Sequence, residues 1–194
     1  MESAENILNG AEQLFFKMGF KSVTMGEVAT HLGMSKKTIY QHFAGKNELV
    51  KKVIDRCLKT HEQQINNVLK QANGIMEEIA AILSCIQDVF VQINPLVIHD
   101  IKTNYVGAWN IFQKFKSTFL VGTLENLLIK GKLENLVRPQ LDERIISLTQ
   151  INLIEASLDG RLFPVAAFDT QAIQHQLLKQ FYFGICIFPI STPS

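Results

Sequence analysis

The chain has 194 residues, 47% of them apolar, with 19 lysines and arginines against 18 aspartates and glutamates and a formal charge of +1. That length gives room for one small domain and one larger core, and near-neutrality excludes a protein that coats nucleic acid along its whole length. The charge is uneven: residues 1–60 carry nine basic against six acidic side chains, and residues 61–194 carry ten against twelve.

The first predicted helix places Ile7, Leu8, Ala11, Leu14, Phe15 and Met18 on one face at three-four spacing. Gly19 follows as a left-handed stop, and Phe20 and Val23 fill the corner. Thr24 opens a second helix with Glu27 three residues on, a reciprocal capping pattern, and Val28, Ala29 and Leu32 form its buried face. Gly33 makes the turn and Ser35 caps a third helix in which Ile39 and Phe43 point inward. Two short helices joined by a glycine turn read as a helix-turn-helix over about 24–43, with Ser35 to His42 as the recognition helix. Lysines there neutralise phosphates, hydroxyls fix the register on the duplex, and Lys36, Lys37 and Gln41 have the length to read base edges. Spacing alone does not choose which of them reads a base.

Helix four is expected from Lys46 to Gln71, unbroken by proline or glycine, and Asn73-Gly74 ends it. A largely apolar helix follows over Ile75 to Gln92, then a short one opened by Asn94-Pro95 and running to about Thr103. Tyr105 to Lys130 reads as one long helix, with Gly131 and Arg138-Pro139 marking a loop, and Leu141 to Leu158 and Thr170 to Ile187 read as the last two. The fold class is therefore all-α, about nine helices: a head over residues 1–48, joined by a continuous helix to a regulatory and dimerisation domain over 49–190. No strand pattern, repeat or low-complexity tract is visible.

The segment Ile7 to Leu49 resembles the DNA-binding domain of the tetracycline-repressor (TetR) family of bacterial transcriptional regulators. The resemblance rests on Ile7-Leu8, Ala11, Leu14-Phe15, Gly19-Phe20, Val23-Thr24, Val28-Ala29, Gly33, Ser35-Lys36, Thr38-Ile39-Tyr40, His42-Phe43, Lys46 and Leu49, about a quarter of the chain. It implies that Thr24 caps helix two against a phosphate, that Tyr40 and Lys46 clamp the backbone, and that Lys36 to Thr38 approach bases. The candidate DNA-contacting set is Thr24, Met25, Ser35, Lys36, Lys37, Thr38, Tyr40, Gln41, His42 and Lys46. Two positions depart from the family pattern. Lys37 stands where glycine is frequent, and Gly45 replaces a serine-like cap, which predicts a frayed start to helix four with Glu48 lacking its partner.

The resemblance also implies a two-fold dimer built as a four-helix bundle from the last two helices, which carry more apolar surface than one seam needs. Ile151, Ile154, Leu158, Leu177 and Phe181 are the candidate interface residues, with plain core as the competing reading. A dimer would space its recognition helices by about 34 Å and favour an inverted-repeat operator. Phe90, His99, Asn104, Tyr105, Trp109 and Phe112 are candidates for a pocket that takes a hydrophobic or aromatic effector, although aromatic stripes also build cores. The expected function is a ligand-responsive repressor. The alternative is a helical DNA-binding or interaction protein without a small-molecule effector.

An enzyme is not expected: the five histidines lie far apart, and no nucleophile elbow, phosphate loop or metal signature is present. Cys57 and His61 share a helix face, but two ligands without a third do not make a metal site, so neither metal nor cofactor is expected. The acidic N-terminus does not read as a cleavable leader, and the longest apolar run, 181–190, is broken by Gly184 and Pro189 and too short to span a bilayer. Three widely spaced cysteines fit a reducing compartment, so a cytoplasmic protein with no membrane partner is expected.

Overall fold

A computed structural model describes residues 2–92, 95–157, 162–164 and 166–187, with the side chains of 2, 88–92 and 95–97 outside that description. Among the described residues the fold is all helix: α1 (Glu2–Met18), α2 (Met25–His31), α3 (Lys36–His42), α4 (Lys46–Gln71), α5 (Ile75–Gln92), α6 (Pro95–Asn104), α7 (Val106–Lys114), α8 (Val121–Leu133), α9 (Glu143–Ala156) and α10 (Thr170–Ile185). Helices α7 and α8 follow one another in the chain through a π-helical segment at Phe115–Leu120, so the expected long helical stretch is present but carries an insertion in its hydrogen-bond ladder. Both α4 and α5 begin and end where the sequence pattern placed them.

The chain packs as two compact units, one of residues 1–62 with 92–115, the other of 63–91 with 116–194. In the first, Ile7, Ala11 and Phe15 of α1 are fully buried with Phe20, Val23, Val28, Ile39, Leu49, Val50 and Val53. Phe15 stacks on Phe20 with ring centroids 4.9 Å apart, and Phe16 meets Phe20 edge-on at 5.5 Å. Arg56 of α4 then binds three residues spaced along one face of α1: Glu5 at 3.0 Å, Asn9 at 2.8 Å, and Glu12. One planar, multi-donor guanidinium therefore pins α1 to α4.

The second unit has its own core of Ile75, Ile79, Ile82, Leu83 and Ile86 from α5 with Leu124, Leu127 and Leu128 from α8. Ion pairs fasten α9 along the α8 side: Lys132 to Glu143 at 2.6 Å, Glu125 to Arg144 at 2.9 Å, and Lys116 to Glu155 at 2.5 Å. Gly131, expected in a loop, lies inside α8, where a Cβ would stand 2.5 Å from Val137 Cγ2. Its glycine serves close approach and not a stop. The only strand-like pairing among the described residues is an isolated antiparallel bridge between Val137 and Cys186.

Candidate nucleic-acid interface

The expected helix-turn-helix forms as its residues dictate. Thr24 Oγ1 accepts the Glu27 amide at 3.2 Å while Glu27 Oε2 accepts the Thr24 amide at 2.6 Å, so two of the free donors at the start of α2 are satisfied reciprocally. The Thr24 amide, and after it the Thr24 hydroxyl, favour the ionised carboxyl and hold Glu27 below its usual carboxylate value of 4.5. Gly33 takes φ +63°, and Met34 donates to Ala29 O at 2.9 Å to close the turn. Ser35 Oγ accepts the Thr38 amide at 3.1 Å as the cap of α3.

Ile39 (0% exposed) and Phe43 (5%) seat α3 on the head core. That anchoring turns Ser35, Lys36, Lys37, Tyr40, Gln41 and His42 to solvent, with Thr38 half-buried. Tyr40 is 51% exposed, so its ring and hydroxyl are both available. Lys36 lies across the start of α2, its Nζ 3.0 Å from where a Gly26 Cβ would be, which brings its charge beside Thr24. Thr24 and the α3 side chains thus share one surface, cationic through Lys36 and Lys37.

Two members of the expected set are placed differently. Met25 is buried at 7% exposure, because the first residue of α2 turns its side chain into the head core. Lys46 is half-buried: its Nζ donates to Lys21 O at 2.9 Å and stands 5.7 Å from the Tyr105 ring centroid. The start of α4 is orderly, with Glu48 Oε2 accepting the Ala44 amide at 2.7 Å. Glu48, without a serine-like cap to meet, reaches one residue further back, so the expected fraying is not seen.

The corner between α1 and α2 is held by residues that sequence reasoning did not connect to it. Tyr105 donates to Phe20 O at 3.0 Å in a buried position, and the Lys21 amide donates to Asp100 Oδ2 at 3.0 Å. Together with Lys46 they fix residues 20–21, just ahead of the Thr24 cap. Nothing in local spacing signals pairs this far apart in the chain.

The remaining candidates scatter. Of the expected pocket residues, Trp109 and Phe112 line a small cleft with Phe16, Ile54, Cys57, Leu58, Ile98 and Ile101. His99 and Asn104 are exposed and do not line the cleft, Tyr105 is engaged at the corner, and the Phe90 side chain lies outside the described residues. Of the expected interface residues, Ile151 and Ile154 are 0% exposed and Phe181 7%, so they are core of one protomer. Leu177 is half-buried and Leu158 lies outside the described residues. The open apolar side chains on α9 and α10 are Ile145, Leu153 and Phe183. Their helical neighbours were read as interface because periodicity counts apolar faces without saying which one a protomer covers itself.

Among the described residues no cluster of three or more His, Cys, Asp or Glu is placed to hold a metal ion. No described helix is long and apolar enough to cross a membrane.

Residues 7–53 match the family model described as bacterial regulatory proteins, tetR family. The chain is 28% identical over 106 residues to the HTH-type transcriptional regulator TtgR of Pseudomonas putida, a match covering 55% of this chain and 48% of that one. The chain thus spans about half the length of this relative and, at the same identity and coverage, of the probable regulator ArpR. A longer match, 24% identical over 191 residues, covers 90% of the chain and 94% of the nucleoid occlusion factor SlmA of Shewanella oneidensis. Among solved structures, a Saccharomonospora viridis regulator in complex with choline superposes with TM-score 0.83 at 16% identity, covering 96% of this chain and 99% of that one. The regulator FadR of Bacillus subtilis, in complex with stearoyl-CoA, gives 0.74 at 14% identity over 93% and 98%. Residues 7–53 thus match the DNA-binding domain of the tetR family of bacterial regulators, and the chain shares the all-helical fold of solved regulator structures.

Proposed function

We propose that the protein is a repressor that binds an inverted-repeat DNA operator as a homodimer and responds to an apolar effector. The observation that carries this reading is α3 itself: capped by Ser35, seated by Ile39 and Phe43, and exposing Lys36, Lys37, Tyr40 and Gln41 on one surface with Thr24. Such a helix has the size and charge to enter a major groove, where counterion release drives affinity. Two copies related by two-fold symmetry require a palindromic site, and Ile145, Leu153 and Phe183 are the apolar side chains open to a second copy.

Ligand response is supported by fold-mates that hold choline and stearoyl-CoA. An effector acts only through different affinity for two states of the protein, and α4, unbroken from the head into the second unit, is the element able to carry that difference. Selecting bound duplexes from a random pool tests the reading. A recovered inverted repeat whose affinity falls steeply with salt is expected. Recovery of no sequence preference, or binding that ignores salt, would overturn it.

A further inference from the structure

We propose that the cleft between α1, α4, α6 and α7 is a ligand site that takes the end of an unbranched alkyl chain carrying an anionic head group. The cleft lies wholly within the unit that holds the helix-turn-helix and is lined by Phe16, Ile54, Cys57, Leu58, Ile101 and Trp109 among others. Its volume of about 30 Å³ decides what fits. One water-sized sphere needs about 10–15 Å³, so the space takes two or three heavy atoms in a row: the terminal carbons of a chain, not an aromatic ring.

The lining also decides polarity. Among the described residues that line it, the only side-chain heteroatoms are Cys57 Sγ and the Trp109 indole nitrogen. Burial pushes the Cys57 thiol up to about 11, so it stays neutral and behaves as a small apolar group. Hydroxyls, phosphates and sugars would lose their hydration there without replacement. The charge sits outside the apolar lining: Lys102 Nζ stands 5.6 Å from the Trp109 ring centroid, and the Lys51 stem passes the start of α7 within 3.7 Å of where a Gly107 Cβ would be. A cation already against the Trp109 ring disfavours a quaternary ammonium and favours a carboxylate. Occupancy would be felt by α1 and α4, which help build the core that seats α3. That consequence rests on the DNA-binding reading above; the site itself does not.

Trp109 is the only tryptophan of the chain, so it reports on the cleft directly. The full chain is titrated with hexanoate, octanoate, octan-1-ol and benzoate while its tryptophan emission is followed. Octanoate is expected to give a saturable shift, with octan-1-ol at least fivefold weaker and benzoate silent. Hexanoate and octanoate should bind within about twofold of each other, because both chains exceed the two or three carbons that the cleft takes. Ile98→Phe, which fills the cleft from its α6 wall, should abolish the response. Lys102→Gln, an exposed substitution that takes the ammonium off the Trp109 ring and leaves the apolar lining unchanged, should erase the advantage of octanoate over octan-1-ol. An unchanged Trp109 spectrum, equal binding of acid and alcohol, or an Ile98→Phe protein that still responds would overturn the proposal. A saturable Trp109 response in a protein that binds no DNA would support the site while sinking the repressor reading.

Discussion

The phenol of Tyr105 donates a 3.0 Å hydrogen bond to the carbonyl of Phe20, joining the start of α7 to the corner between α1 and α2 across 85 residues of sequence. The same ring takes Lys46 Nζ at 5.7 Å while that ammonium holds Lys21 O. Tyr105→Phe keeps the ring but leaves a buried carbonyl unpaired, which should cost about 1–3 kcal/mol. Urea unfolding should show a lower midpoint with an unchanged slope. An unshifted midpoint would mean that the corner is satisfied in some other way.

The Thr24–Glu27 cap gives a pH dependence with a definite sign. Glu27 is held below its usual value of 4.5, so the folded state favours the carboxylate. Its contribution is complete above about pH 4.5 and is lost as pH falls through the lowered value. Glu27→Gln should therefore flatten the acid limb of the stability curve. Thr24→Ala should cost about 1 kcal/mol at neutral pH, read from thermal or urea melts.

Exposed α3 side chains should separate binding from stability. Lys37→Ala and Tyr40→Ala are expected to change unfolding free energy by no more than about 0.5 kcal/mol. Each phosphate contact removed should lower the slope of log affinity against log salt by about 0.9. Anisotropy titrations at several salt concentrations on one duplex measure this. A Lys37→Ala protein with the parental slope would show that Lys37 does not touch phosphate.

On α9, two substitutions should give opposite signatures. Ile154 is fully buried, and Ile154→Ala should destabilise the fold by about 2–5 kcal/mol. Ile145 and Leu153 are 61% and 41% exposed, and Ile145→Asp with Leu153→Asp should raise the monomer fraction in sedimentation with little loss of folded stability. Dimers that survive the double substitution would move the interface elsewhere.

Cys57 offers a simple chemical check. With its thiol pushed up to about 11 by burial, the thiolate is scarce at pH 8 and iodoacetamide should label it only on unfolding. Rapid labelling of the native protein would show that the α4 face bearing Cys57 opens.

Much of this molecule was legible in one dimension because its signals are local. The Thr24–Glu27 and Ser35–Thr38 caps, the turn at Gly33 and the three-four spacing that buries Ile39 each act within a few residues, so they are written where they operate. The recognition surface follows from them: once Ile39 and Phe43 face inward, helical geometry sends Lys36, Lys37, Tyr40 and Gln41 outward. Met25 escaped the same reasoning, since the first turn of a short helix can present either face.

The head helices, their order and the chemistry of α3 were determined by the sequence, because backbone hydrogen bonding and side-chain period are local properties. Only tertiary structure decided that Tyr105, Asp100 and Lys46 would converge on residues 20–21, that Arg56 would gather Glu5, Asn9 and Glu12, and that Ile151 and Ile154 would be core. Such pairings depend on which apolar faces meet, and an apolar stripe specifies burial without naming its partner.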